Sequence, residues 1–270
     1  MKKRVVSAIV LIPVLVLVLL EARMWGSVLL SMFIAIAAAY ELVNNTKLVP
    51  QRRLRIYTYL AAGTVPVCCC TKSVFGVQVL LFVFCVLLFG EAMLSKSGVS
   101  ILNIGVCLAA GVLLPFIYSG IVRLGTNTQN RMLILIPFVI AFMSDSGAYF
   151  TGLAFGKHHF ASHVSPNKTL EGVAGGVVWG IAGMLVYALI VNRCSDTLHA
   201  NYLLAVLYGG SGSLAATFGD LCFSYIKRQV GIKDFGKLIP GHGGILDRFD
   251  SMTMVMMLTE ILLTAVPVIQ

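Results

Sequence analysis

Charge is what this chain lacks. Of its 270 residues only 11% are Asp, Glu, Lys or Arg, against 58% that are apolar. Soluble domains run at about 25% charged and about 45–50% apolar, so an ordinary water-soluble domain is excluded. A mean hydropathy of +0.92 excludes a disordered chain as well. Acid is scarcer still: no aspartate precedes Asp145, and the first 120 residues hold only Glu21, Glu41 and Glu91. Cysteine offers no framework either. The seven include an adjacent run, Cys68 to Cys70, and no C-x-x-C pair, which argues against a structural zinc site and a secreted disulfide scaffold. Nor does the formal charge of +9 gather into a basic face. The bases stand between apolar runs, where they meet lipid headgroups or anionic metabolites rather than nucleic acid.

What is present is a succession of long apolar stretches. A helix crosses the hydrocarbon core with about 17–25 apolar residues, and open strands are excluded there because their edges would go unpaired. The sequence predicts an all-α, polytopic integral membrane protein with about nine transmembrane helices. They are centred on residues 5 to 20, 24 to 40, 55 to 70, 74 to 90, 99 to 122, 132 to 152, 172 to 191, 198 to 218 and 252 to 269. Gly63 and Pro66 make the third the weakest. The first, after Lys2-Lys3-Arg4, resembles a signal peptide but ends in Glu21-Ala22-Arg23 rather than small residues, and is expected to remain uncleaved. With the N-terminus in the cytoplasm, fifteen of the twenty bases fall on the inner side and five on the outer, the expected positive-inside bias. Two polar loops, 144–171 and 219–251, then face the cytoplasm. All six aspartates and all five histidines follow residue 144, so the chain divides into scaffold helices over 1–125 and a catalytic membrane region over 126–270.

The loop 219–251 is the densest polar feature. On a helix, Asp220, Ser224, Lys227 and Arg228 share one face, a set suited to a metal ion and a polyphosphate together. Pro240-Gly241-His242-Gly243-Gly244 is a flexible turn whose N–H groups are expected to approach phosphate oxygens. Asp247 and Asp250 follow with i, i+3 spacing. Carboxylates beside Lys and Arg at a membrane surface fit Mg²⁺-dependent phosphoryl or nucleotidyl transfer.

In the loop 144–171, Asp145 closes an apolar span, where an unpaired carboxylate is expensive. Ser165-Pro166 is expected to cap a helix, putting Lys168 and Thr169 in its first turn as a phosphate-binding end. His159 and His163 have zinc-ligand spacing but no third ligand. Gly152 to Lys157 fails as a Walker A loop, because three residues separate its glycines and His158 stands where Ser or Thr is needed. The stripe Gly172, Gly176 and Gly180 is explained by close helix packing.

From Ser224 to Asp250 the chain resembles the signature of the phosphatidate cytidylyltransferase (CDP-diacylglycerol synthase) family. The matching positions are Ser224, Lys227, Arg228, Lys233, Asp234, His242, Gly243, Gly244, Asp247, Arg248 and Asp250. Asp145 to Lys157 (D-S-G-A-Y-x-x-G-x-x-F-G-K) and Ser165 to Gly172 (S-P-x-K-T-x-E-G) are similar to that family too, although His163 stands where a basic residue is expected. The resemblance covers roughly residues 130–260 and assigns nothing residue by residue over 1–125.

It implies transfer of CMP from CTP to phosphatidic acid, giving CDP-diacylglycerol and pyrophosphate, with Mg²⁺ and room for a second cation. It also implies Asp220 and Asp247 as principal metal ligands, supported by Asp250 and Asp145, with Lys227 and Arg228 in the catalytic set. Phosphate binding then falls to Lys168, Ser165, Ser224, Lys233, Arg248 and the turn of His242, Gly243 and Gly244. A homodimer in the membrane, the inner membrane in a bacterium, with its active site facing the cytoplasm, completes the expectation.

Three other readings fit less well. Asp247-x-x-Asp250 starts the CDP-alcohol phosphotransferase motif, but Ser251 replaces its glycine and no aspartate follows. A transporter or channel needs a polar path on the outer side, which this sequence does not offer. A purely structural scaffold leaves the aspartates unexplained.

Overall fold

The computed structural model describes residues 19, 24–95, 98–126, 131–161, 163–195, 198–238 and 243–269. Apart from Leu19, the first expected span therefore lies outside the described residues, as does His242. Among the described residues the fold is all-α, with no strand and only two isolated β-bridges.

The α-helices are α1 (Met24–Tyr40), α2 (Arg52–Cys70), α3 (Val74–Leu94), α4 (Ile101–Leu108), α5 (Leu114–Tyr118), α6 (Gly120–Gly125), α7 (Ile136–Phe155), α8 (Leu170–Cys194), α9 (Tyr202–Gln229) and α10 (Asp250–Ala265). Two π turns interrupt the pattern, Glu41–Asn45 after α1 and Ala109–Leu113 between α4 and α5.

Among the described residues five stretches are long and apolar enough to cross a membrane: Met24–Asn45, Val74–Leu94, Ile101–Gly125, Arg131–Phe155 and Leu170–Cys194. They coincide with five of the nine expected spans and make the chain a polytopic integral membrane protein. The other three described spans are helices that fall short. Helix α2 opens on Arg52, Arg53 and Arg55. Helix α9 is long, but its uncharged part, residues 202–219, is diluted by glycine and serine, and Asp220, Lys227 and Arg228 follow it. Helix α10 has 16 residues, which at 1.5 Å each is shorter than the roughly 30 Å hydrocarbon core. Helix α2 nonetheless runs straight through Gly63 and Pro66, both buried. Packing overrides propensity there, and a Cβ on Gly63 would stand 3.1 Å from Ile36 Cδ1.

The chain forms two compact units. One comprises residues up to Arg131 together with Val230–Arg248, the other Met132–Gln229 with Phe249–Gln270. The loop 219–251 is thus shared out by its packing, with residues 230–248 joining the N-terminal helices.

In the first unit, α1 packs on α2 and on the 101–125 stretch. Ser31 Oγ donates to the carbonyl of Tyr118 (3.1 Å), with both residues fully buried. Helix α4 begins in a reciprocal cap: Ser100 Oγ accepts from Asn103 N–H while Asn103 Oδ1 accepts from Ser100 N–H. The Asn103 amide also donates to Leu48 O (2.6 Å). Helix α3 buries only Phe84 and Leu88, leaving an apolar exterior suited to lipid.

In the second unit, α8 packs on α7 and α9, and α10 on α9 and α7. The glycine stripe of α8 lies in close contact with its neighbouring helices. A Cβ on Gly176 would stand 3.1 Å from Ser144 O, and Gly180 lies against Ser213 and the carbonyl of Gly209. Tyr187 and Tyr208 bury their rings and donate their hydroxyls to Met132 O (2.7 Å) and Val266 O (3.0 Å).

The closest helix approach sets the first prediction. A Cβ on Gly209 would lie 2.6 Å from Ile181 Cα and 2.7 Å from Gly180 O, both of them backbone atoms unable to yield. Gly209→Ala is expected to lower stability by about 1–3 kcal/mol through overpacking. Gly105→Ala, with nothing within 4 Å, is expected to be neutral or slightly stabilising, since helical Gly costs roughly 0.5–1 kcal/mol relative to Ala. Thermal unfolding in detergent compares the two.

Candidate active site

In the second unit the expected stripe on α9 forms. Ser224 Oγ donates to Asp220 Oδ1 (3.2 Å), one helical turn apart. Lys168 reaches across to the same carboxylate, its Nζ 2.7 Å from Asp220 Oδ2, and also donates to Thr217 O (3.1 Å). Lys227 is buried on the same helix and stands 4.0 Å from Asp250 Oδ2. Gly219 permits this arrangement, because a Cβ there would lie 2.7 Å from Asp250 O and hold α10 away from α9. Asp145, on α7, accepts a hydrogen bond from Ser251 Oγ (3.1 Å). Four elements thereby bring Asp145, Asp220 and Asp250 together with Lys168 and Lys227.

The electrostatics of that group are acid-rich. Asp250 is the first residue of α10, ahead of the stretch expected to span the membrane, and it is buried. Burial first, and then the charges of Asp220 and Asp145, push its carboxyl up to about 7 against the pull of the Ser251 N–H and Lys227. Among the described residues no three His, Cys, Asp or Glu side chains converge as a ready-made metal cage. Mg²⁺ does not require one, since it takes one or two carboxylates and completes its shell with water and substrate phosphate. Hard oxygen donors with too little positive charge beside them fit that ion.

The loop between α7 and α8 departs from expectation at its helix start. The N-cap is Thr169, whose Oγ1 accepts from Gly172 N–H (3.1 Å), and α8 begins at Leu170 rather than after Ser165. The reason is local. Leu170 N–H donates to His158 O (2.9 Å) and Thr169 pairs with His159 in a short bridge, which holds residue 169 extended. Ser165 instead closes a turn, accepting from Lys168 N–H (3.2 Å). Glu171, in the first turn of α8, accepts from the N–H groups of Lys157 (3.1 Å) and His158 (3.2 Å) and meets His158 Nδ1 at 2.5 Å. Arg228 is exposed, and its Nε donates to Val164 O (3.3 Å), tying α9 to this loop.

The first unit carries the other part of the signature. Asp247 is buried, and its Oδ2 accepts from Phe235 N–H (2.8 Å) and Gly244 N–H (3.1 Å). The carboxylate expected to ligate metal therefore also braces the loop, and the Gly244 N–H is engaged inside it. Gly243 has φ +91, a left-handed conformation that favours glycine. Lys233 and Arg248 are exposed.

One residue escaped the motif reading altogether. Glu41, the first residue of the π turn after α1, is fully buried and accepts from Ile245 N–H (2.9 Å) and Leu246 N–H (2.8 Å). The signal that finds it is the one applied to Asp145: a carboxylate inside an apolar span needs a partner.

The fold and these groups define an integral membrane protein in which acids and lysines from several helices meet within one unit. The profile of the Cytidylyltransferase family matches residues 2–266, and the chain belongs to that family. It is 38% identical over 174 residues to a protein named phosphatidate cytidylyltransferase from Staphylococcus epidermidis, covering 63% of each chain. Proteins of the same name from Helicobacter pylori (42% over 144 residues, 52% of each chain) and Haemophilus influenzae (37% over 153 residues, 54% of this chain and 52% of the relative) are similar as well. The chain thus spans less than two thirds of the length of these curated relatives.

The Lys168–Asp220 contact has a testable energetic consequence. Lys168→Met leaves Asp220 without its cation, and is expected to cost about 1.5–3 kcal/mol, the range for a hydrogen bond to a charged group. A thermal unfolding series in detergent checks it.

Proposed function

We propose that this protein transfers CMP from CTP to phosphatidic acid, giving CDP-diacylglycerol and pyrophosphate, at the cytoplasmic face of the membrane. The observation that carries the reading is the Lys168–Asp220 contact beside Ser224, with Lys227 and Asp250 in the same unit. Membership of the Cytidylyltransferase family supports it, and so do the names of the relatives in Staphylococcus and Helicobacter. The excess of bases on alternate loops supports the cytoplasmic orientation.

A phosphatidate oxygen forms a new bond to the α-phosphorus of CTP, and the bond from that phosphorus to the bridging α,β-oxygen breaks in line with it. The electron pair leaves with pyrophosphate. The attacking phosphate is already an anion near neutral pH, so no side chain has to remove a proton. The work left to the protein is positioning and charge stabilisation. Lys168 and Lys227 stabilise the non-bridging oxygens, and Asp220 and Asp250 hold these two lysines in place. Ser224 orients Asp220. Mg²⁺ held by one or two of the carboxylates of Asp220, Asp145 and Asp250 would supply Lewis-acid polarisation of the phosphoryl oxygens.

Purified protein given CTP labelled at the α-phosphate tests the proposal. Label is expected in a lipid product only when phosphatidic acid and Mg²⁺ are both present, with pyrophosphate released in equal amount. Consumption of CDP-diacylglycerol with release of CMP, or ion flux in liposomes without CTP turnover, contradicts it.

A further inference from the structure

Glu41 lies outside the signature segments, yet it is the residue on which one of them rests. It follows directly on α1 within the apolar stretch Met24–Asn45 and has no exposed surface. Each carboxylate oxygen accepts one main-chain N–H, Oε1 from Ile245 and Oε2 from Leu246. Two glycines make room for it. A Cβ on Gly236 would stand 2.3 Å from Oε1, and one on Gly244 would stand 2.4–2.5 Å from both oxygens. These glycines therefore serve a protein carboxylate, whatever else the turn does.

A second tie runs parallel to the first. Asn45 Nδ2 donates to Phe235 O (2.7 Å). The backbone from Glu41 to Asn45 is a π turn, a rare conformation that is frequent at functional sites. Within the loop, Asp247 Oδ2 accepts from Phe235 and Gly244. Residues 235–236 and 243–247 are thus joined to each other by Asp247 and to α1 by Glu41 and Asn45. A contact needed only for packing is served as well by an apolar side chain, without the cost of burying a charge. A carboxylate accepting two successive N–H groups does something packing does not, because it sets the orientation of the 244–245 and 245–246 peptide planes, just ahead of Asp247.

We propose that Glu41 is a positioning residue for the signature turn, holding Gly243, Asp247 and Arg248 in the arrangement that cytidylyl transfer uses. This rests on the function proposed above.

The test uses the full chain in lipid nanodiscs with Glu41→Gln, which keeps the shape but turns one acceptor into a donor. Hydrogen exchange over residues 243–248 is expected to rise about tenfold or more, the loss associated with a hydrogen bond to a charged group. Exchange in α7 to α9 is expected to stay unchanged. The kcat per folded molecule is expected to fall by about tenfold or more, with KM for CTP and phosphatidic acid within about threefold. A lower folded yield with kcat per folded molecule unchanged would make Glu41 merely structural and overturn the proposal. If Glu41→Gln does not fold, Asn45→Ala removes the parallel tie and is expected to give the same split in smaller measure, and an unchanged kcat there overturns it equally. If the wild-type protein makes no CTP-dependent lipid, the proposed function fails. The exchange measurement then decides on its own: lost protection upholds Glu41 as the anchor of the turn, and unchanged protection refutes it.

Discussion

Every charge that this chain carries into its apolar interior must find its compensation within the protein. Water is scarce there, and an uncompensated carboxylate or ammonium costs several kcal/mol. The half-buried Lys168–Asp220 contact at 2.7 Å joins the loop before α8 to the C-terminal third of α9 under that constraint. Ser224, Thr217 and the approach of α10 past Gly219 are arranged around it. Where no cation is at hand, main-chain N–H groups serve instead, as they do for Glu41 and for Asp247. The sparse charge is thus both what holds the polar segments in place and what phosphate chemistry would use.

This double use explains why the signature residues are spaced as they are. Asp220 and Ser224 need the i, i+4 spacing of one helix to share a hydrogen bond. Asp247 sits three residues beyond Gly244 because its carboxylate closes back on that N–H. Gly244 is small because Glu41 lies against it. A signature that looks like a substrate-binding motif is in good part a set of instructions for folding a polar turn within an apolar protein.

Much of this was legible in the sequence. The all-α membrane architecture followed from apolar run lengths, and the α9 stripe followed from helical spacing. The start of α8 did not, because Ser165-Pro166 is a good local cap but the pairing of Leu170 with His158 O holds Thr169 extended and moves the cap there. Nor did the number of helices fit to cross a membrane, since α2, α9 and α10 trade apolar length for arginines, polar residues and a short turn-bound start. Glu41 was visible as an isolated acid in an apolar run. Its partners, 204 and 205 residues away in the chain, were not. Contacts at that separation leave no local pattern to read.

On the proposed function, the acids and lysines of the second unit act as one interdependent set. A double-mutant cycle on turnover by Lys168→Met and Asp220→Asn tests it most directly. If the residues act together, each single variant loses most of the activity, and the double variant is less impaired than the product of the two losses by about tenfold or more. Losses that multiply independently would contradict the account.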